Sequence, residues 1–167
     1  MVGLSQLYDE HAQALYAFLL NLTRNEAETK DALQEVFRKL AATPGLGTDI
    51  RDARAFLLRL ARNAAIDAMR RRASRDKRHE GLAGETADLF APAPDPDAAM
   101  FRQKLAEALL ALPQEQREVV HLKLWEGLTF ESIAETLEIP MNTAASRYRY
   151  GIDKLRERLR PLYEEIR

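Results

Sequence analysis

The stretch Leu128-Thr-Phe-Glu-Ser-Ile-Ala-Glu-Thr-Leu-Glu-Ile-Pro-Met-Asn-Thr-Ala-Ala-Ser-Arg-Tyr-Arg-Tyr-Gly-Ile-Asp-Lys-Leu-Arg-Glu-Arg-Leu159 decides the fold. Gly127 stops one helix and Thr129 caps the next, on which Ile133, Ala134 and Leu137 form a short apolar face. Glu138-Ile139-Pro140 ends that helix, because proline cannot donate to the preceding turn. A second helix then restarts, with Asn142 or Thr143 as its expected cap. Along it Tyr148, Ile152, Leu155, Leu159 and Leu162 recur every three or four residues, while Arg147, Arg149, Lys154, Arg156 and Arg158 take the other side. Short helix, tight turn and longer basic helix make a helix-turn-helix, whose second helix enters the major groove with its first residues. A helical hairpin with solvated arginines is the alternative. The turn, the caps and the sidedness of charge together favour DNA binding.

Working outward, 167 residues with 46% hydrophobic content suffice for one domain or two small ones. Seven glycines and seven prolines favour long helices, and the chain shows no strand pattern of useful length. The absence of cysteine excludes disulfides, thiolate metal sites and a cysteine nucleophile. No apolar run approaches a membrane span and the first residues lack a signal-peptide pattern, so a cytoplasmic protein is expected. The net charge of -1 hides strong segregation. Residues 50–80 carry 10 Lys/Arg against 4 Asp/Glu, residues 142–167 carry 7 against 4, and the intervening and preceding stretches are acidic. Binding to a polyanion follows such local fields rather than the total.

The remaining chain reads as helices. Leu4 to Leu22 places Leu4, Leu7, Tyr8, His11, Leu15, Phe18, Leu19 and Leu22 on one stripe. Asn25 and Glu28 start a second helix that ends before Thr43-Pro44-Gly45; Leu33, Val36, Phe37 and Leu40 face inward, and Asp31, Gln34, Glu35, Arg38 and Lys39 outward. A third, from about Arg51 to Arg75, turns Phe56, Leu57, Leu60, Ala61, Ala64 and Ala68 inward and carries Arg54, Arg59, Arg62, Asn63 and Arg70-Arg71-Arg72. Arginines at a helix C-terminus complement its dipole, but ten basic residues in thirty-one positions are better explained by phosphate contact. From about His79 to Asp97, glycines, prolines and acids indicate a tether, spanning roughly 25 Å as a coil and up to about 65 Å drawn out. Helicity resumes near Ala98, with Met100, Phe101, Leu105, Ala108, Leu109 and Leu112 buried, and Gln114 to Trp125 forms a further helix with Val119, Val120, Leu122 and Trp125 as apolar bulk. The expected architecture is all-α: two small helical domains, 1–78 and 98–167, joined by a flexible linker, 79–97.

These residues resemble the extracytoplasmic-function type of bacterial sigma factor, over nearly the whole chain. Leu7-Tyr8, Asp31-Ala-Leu-Gln-Glu-Val-Phe37 and Ala55-Phe-Leu-Leu-Arg-Leu-Ala-Arg-Asn-Ala-Ala-Ile-Asp-Ala-Met-Arg-Arg71 are similar to its polymerase-binding and promoter-melting segments. Leu112-Pro113, Arg117-Glu-Val-Val120, Glu126-Gly-Leu-Thr129, Ile133-Ala-Glu135 and Ser146-Arg147 are similar to its DNA-reading domain. The resemblance implies that Asp31, Gln34, Glu35, Phe37 and Arg38 lie on or beside the helix that docks on RNA polymerase core, while core packing is the better account of the Phe37 ring. It implies that the loop from Gly45 to Asp49 and the start of the third helix accept an unstacked base. Arg59, Arg62, Asn63, Arg70 and Arg71 would hold the melted strand. Thr143, Ser146, Arg147 and Arg149 would read the upstream duplex element. The implied partners are the polymerase core, through its largest and second-largest subunits, promoter DNA and an anti-sigma factor; no cofactor and no metal is implied. The chain departs from the family at Glu138, where glycine is frequent and a strained φ or an altered turn is expected. It departs also at Ala144-Ala145, and at Phe56 and Leu58, where Trp and Tyr are frequent.

Three functions compete. An enzyme is disfavoured because Asp9, Glu10 and His11 point in different directions around a helix, and His79 and His121 have no neighbours at ligand spacing. A stand-alone helix-turn-helix regulator explains residues 128–159 but not the basic third helix. A protein-binding adaptor predicts no salt-sensitive nucleic-acid contact.

Overall fold

The structure is a computed structural model and describes residues 3–46, 52–76 and 95–165. It holds seven helices among those residues: α1 (Leu4–Thr23), α2 (Glu26–Ala42), α3 (Ala53–Asp76), α4 (Pro96–Leu110), α5 (Gln114–Leu124), α6 (Phe130–Leu137) and α7 (Met141–Glu165). The chain divides into two compact units. One is built on α1, α2 and α3, packed pairwise; the other is built on α5 and α4 packed against α7, with α6 leading into α7. Most of the expected tether, with the end of the loop from Gly45 to Asp49, lies outside the described residues.

In the first unit, a tight polar corner joins α1 to α2. Arg24 takes the left-handed conformation at φ 58° and donates its N–H to the Leu20 carbonyl. Asn25 then caps α2 by accepting from the Glu28 N–H at 3.0 Å. The hydroxyls of Thr23 and Thr29 meet at 2.8 Å, and Thr29 donates to the Asn25 carbonyl. Burial first, and then the Glu26 carboxylate to which it is hydrogen-bonded, push the Tyr16 phenol above its ordinary pKa, so it serves as a neutral donor. Asp52 caps α3 by accepting from the Ala55 N–H at 3.1 Å. The core comprises Leu15, Phe18, Leu19, Leu22, Val36, Leu57, Leu58, Ala61 and Ala65.

Three helix surfaces differ from the sequence reading. Leu58 and Ala65, outside the expected inward set of α3, are fully buried because α3 is covered by both α1 and α2, which widens its buried arc. Leu4 and Tyr8 are exposed, since the first fully buried residue of α1 is Leu15. Phe37 is half-buried and packs edge-on against Tyr8, with ring centroids 5.0 Å apart.

In the second unit, α4 begins at Pro96 rather than near Ala98, because Asp95 caps it through the Asp97 N–H and proline fits the first helical position. Met100 is exposed. The buried cluster reaches α4 only in its later turns, where Ala108 and Leu109, with Leu112 just past the helix end, meet Val120, Leu155 and Leu159, and Leu105, Tyr148 and Ile152 lie at its edge. Arg117 is buried and donates to the carbonyls of Leu110 and Leu112 at 3.3 Å, closing the end of α4. Trp125 is exposed rather than apolar bulk, its ring lying over the buried His121 with centroids 5.7 Å apart. His121 Nε2 and Glu126 Oε1, both buried, are 3.6 Å apart beside the turn.

The turns into and out of α6 follow the chemistry of their residues. Gly127 has φ +65°, and Thr129 caps α6 by accepting from the Ser132 N–H at 3.1 Å. Glu138 has φ +56°, the strained conformation expected of a residue standing at a glycine position, and the Ile139 N–H returns to the Ala134 carbonyl. Neither Asn142 nor Thr143 caps α7: the helix starts at Met141 and the Pro140 carbonyl accepts from the Ala144 N–H. Proline sets the start because its fixed φ is already compatible with the turn. Gly151 lies where α7 crosses α5, and a Cβ there would stand 2.6 Å from Val120 Cγ2.

Gly151→Ala is therefore expected to lower the unfolding free energy by about 1–3 kcal/mol in urea titrations, the usual cost of overpacking. Adding Val120→Ala should restore part of that loss. Glu138→Gly should raise stability by about 0.5–1 kcal/mol in the same titration, since relief of the left-handed strain exceeds the extra chain entropy.

Candidate nucleic-acid interface

An α-helix advances roughly 100° per residue, so burial along one line of α7 dictates what remains on the other. Ala144, Gly151, Leu155 and Leu159 are buried, and Tyr148 adds to the same side through an edge-on contact with Phe130 at 5.5 Å. Opposite that seam, in the first three turns, lie Ser146 at the centre, Thr143 and Tyr150 to one side and Asn142 and Arg149 to the other. Thr143, Ser146 and Arg149 thus share the outward face at the positive end of the helix. Arg149 is exposed and places its guanidinium 5.4 Å from the Tyr150 ring centroid.

Arg147 is set differently. It sits about a quarter turn from the centre of that face. Its Nη2 lies 3.8 Å from Glu115 Oε2 on the first turn of α5, and its side chain is 28% exposed. A flanking, braced arginine suits a phosphate beside the groove better than a base edge within it. The contact to Glu115 crosses between helices, so no spacing along the sequence announces it.

In the first unit, Arg59, Asn63 and Arg70 fall on one outward stripe of α3, on the side away from the buried Leu57, Ala61 and Ala65. From Arg59 to Arg70 that stripe runs about 16 Å, long enough to follow several phosphates of one strand. Arg59 also lies 5.8 Å from the Phe56 ring centroid, which orients it near the start of the helix. Arg62 stands roughly a quarter turn to one side and Arg71 as far to the other. Arg71 donates from Nε to the Asp67 carbonyl at 3.3 Å. With Glu28, Asp31, Glu35, Arg72 and Arg75 it lines a groove of 560 Å³ between α2 and α3. Arg72 Nη1 pairs with Glu28 Oε1 at 2.9 Å and fastens the end of α3 to the start of α2. Of the five arginine and asparagine positions expected to serve the melted strand, three are aligned, Arg71 belongs to the groove, and Arg70 also borders a recess there with Glu35, Lys39 and Asp67.

On α2, Asp31, Gln34 and Arg38 share one exposed stripe. Glu35 turns toward the α2–α3 groove, lining it together with Arg71, and pairs with Arg38 one turn along the helix. The Glu28–Arg72 and Arg147–Glu115 pairs were missed by the sequence reading. Both join residues on different helices, to which amphipathic periodicity is blind.

Comparison with known proteins decides what these surfaces belong to. Residues 7–75 match the family model for sigma-70 region 2, and residues 102–155 match that for sigma-70 region 4. An RNA polymerase sigma factor of the extracytoplasmic-function type from Mycobacterium tuberculosis, SigL, is 35% identical over 158 residues, which cover 93% of this chain and 88% of that one. The RNA polymerase sigma factor CarQ of Myxococcus xanthus is 32% identical over 163 residues, covering 96% and 91%. The chain belongs to the extracytoplasmic-function sigma factors. The sigma factor RpoE of Bartonella quintana, solved in complex with the anti-sigma factor NepR, shares the fold with a TM-score of 0.80 at 24% identity, covering 93% of this chain and 96% of that one.

The two family matches divide the sigma factor's surfaces between them. The α2 stripe and the basic stripe of α3 both fall within the region 2 match, and the outward face of α7 falls within the region 4 match. Among the described residues no group of three or more His, Asp or Glu could hold a metal ion, and no helix is long and apolar enough to cross a membrane.

Proposed function

We propose that this sigma factor brings RNA polymerase core to specific promoters by dividing the work among three helix faces. The α2 stripe of Asp31, Gln34 and Arg38, with Glu35 on its flank, docks on the largest subunit of the core. Arg59, Asn63 and Arg70, with Arg62 and Arg71 on either side, follow the melted strand downstream. Thr143, Ser146 and Arg149 meet the upstream duplex, the first two of them in the major groove, and Arg147 holds a phosphate at its edge. The polymerase- and strand-binding unit runs through residue 78 and the promoter-reading unit begins with α4, with the intervening chain as a tether. The bond-forming chemistry is the polymerase's, and the factor acts in the cytoplasm beside it.

The reading is carried by one observation: within a chain similar to sigma factors along nearly its whole length, Arg59, Asn63 and Arg70 of α3 and Ser146 and Arg149 of α7 lie on outward helix faces. A stand-alone regulator would use α7 and leave the stripe of α3 without a role. Run-off transcription with core polymerase, from a template carrying the gene's own upstream region, tests the proposal. A specific transcript should require both components, and specific duplex binding by the factor without polymerase would favour the regulator.

Glu35→Lys should weaken association with core polymerase by about tenfold, as expected for reversing a charge at an interface, with only a small fall in unfolding temperature from the lost pair with Arg38. Normal association in a pull-down would remove Glu35 from the docking face. Arg147→Ala should weaken promoter binding by the holoenzyme by about 1.5–3 kcal/mol, about evenly across promoter sequences, read by titration of labelled promoter DNA. Unchanged affinity would leave Arg147 as a brace for α5 alone.

A further inference from the structure

We propose that Tyr150 is a DNA-contacting residue of α7 and the positioning residue of Arg149, holding that guanidinium for a phosphate where the helix leaves the major groove. The inference rests on the reading of α7 as the promoter-reading helix and adds to it a residue and a division of labour along the helix.

The first observation is that packing does not account for Tyr150. Tyr148, two residues earlier, turns inward, touches Phe130 and borders the buried cluster. Tyr150 points the opposite way and is 55% exposed, although it is the largest side chain on the outward face of these turns. The second observation is the arrangement of its neighbour. The Arg149 guanidinium lies 5.4 Å from the Tyr150 ring centroid, within the range of a cation–π contact. A long, flexible arginine is thereby restrained before any partner arrives, and less rotamer freedom is lost on binding.

Position along the helix selects the ligand. Tyr150 lies about 13 Å beyond the start of α7 at Met141, whereas residues of the first turns of such a helix meet base edges. Farther along, the helix passes the phosphate backbone, to which arginine and the tyrosine hydroxyl are both common donors. Arg149 and Tyr150 straddle the line of Ser146, so both reach the same side of the helix. The pair is an electrostatic clamp that sets how deeply the first turns sit, and it carries no sequence preference of its own.

The test uses holoenzyme assembled from core polymerase and full-length factor, with promoter DNA selected by the wild-type holoenzyme, and affinities measured across a range of salt. Tyr150→Ala should weaken binding about three- to tenfold, evenly over the selected sequences, while Tyr150→Phe, which keeps the stacked ring and loses only the hydroxyl's contact to phosphate, falls between that variant and wild type. Arg149→Ala should flatten the plot of log K against log salt by about one phosphate's worth of slope. In the Tyr150→Ala background it should add less than about a further twofold, because the two residues act as a unit. Affinity within twofold of wild type for Tyr150→Ala overturns the proposal. So does multiplication of the two losses, or an unchanged salt slope for Arg149→Ala, a variant with no buried side chain to lose. Failure of the wild-type holoenzyme to select any promoter would instead remove the reading of α7 itself.

Discussion

The close approach of α7 to α5 at Gly151 and Val120 governs the second unit. A helix presents outward whatever it does not bury, and the seam through Ala144, Gly151, Leu155 and Leu159 leaves Ser146 at the centre of the open face. Rotating α7 by one residue would bring arginines into the core and turn leucines to water, at a cost of several kcal/mol. The absence of a side chain at Gly151 thus aims the helix as much as it permits the contact. Arg117, capping the end of α4 from within the core, fixes the neighbouring helix by the same economy of filled acceptors.

The first unit solves a related problem with small side chains. Ala61, Ala64 and Ala65 let α3 lie close to both α1 and α2, so the buried arc is wide and the cations are pushed to what remains. Arg59, Asn63 and Arg70 are aligned for that reason. Arg71 and Arg72 fall on the margin facing α2, where Glu28 pairs with Arg72 and Asp31 and Glu35 line the same groove. Opposite charges there hold the helix ends together, so the acidic face of α2 and the basic end of α3 are parts of one electrostatic arrangement.

Charge on this chain therefore has two uses that composition cannot separate. Some cations are spent on helix-to-helix fastening, as at Arg72 with Glu28 and Arg147 with Glu115. Others, such as Arg149 over Tyr150, remain on open faces. A polyanion meets only the second group in full, although a half-exposed pair such as Arg147 and Glu115 can exchange its partner at modest cost.

What the sequence by itself determined is the helical class, the order of the helices and most of their ends. Caps such as Asn25 and Thr129, the stop at Gly127 and the strained turn at Glu138 are local chemistry, settled by residues within one turn of each other. The outward sets on α2 and α7 were legible too, because a single packed side leaves a periodic trace. Only the tertiary structure decided that Leu58 and Ala65 are core, that Met100 and Trp125 are exposed, and which arginines are braced. Those outcomes depend on how many neighbours a helix has and where they stop, and such neighbours are brought together by the fold from positions distant along the chain.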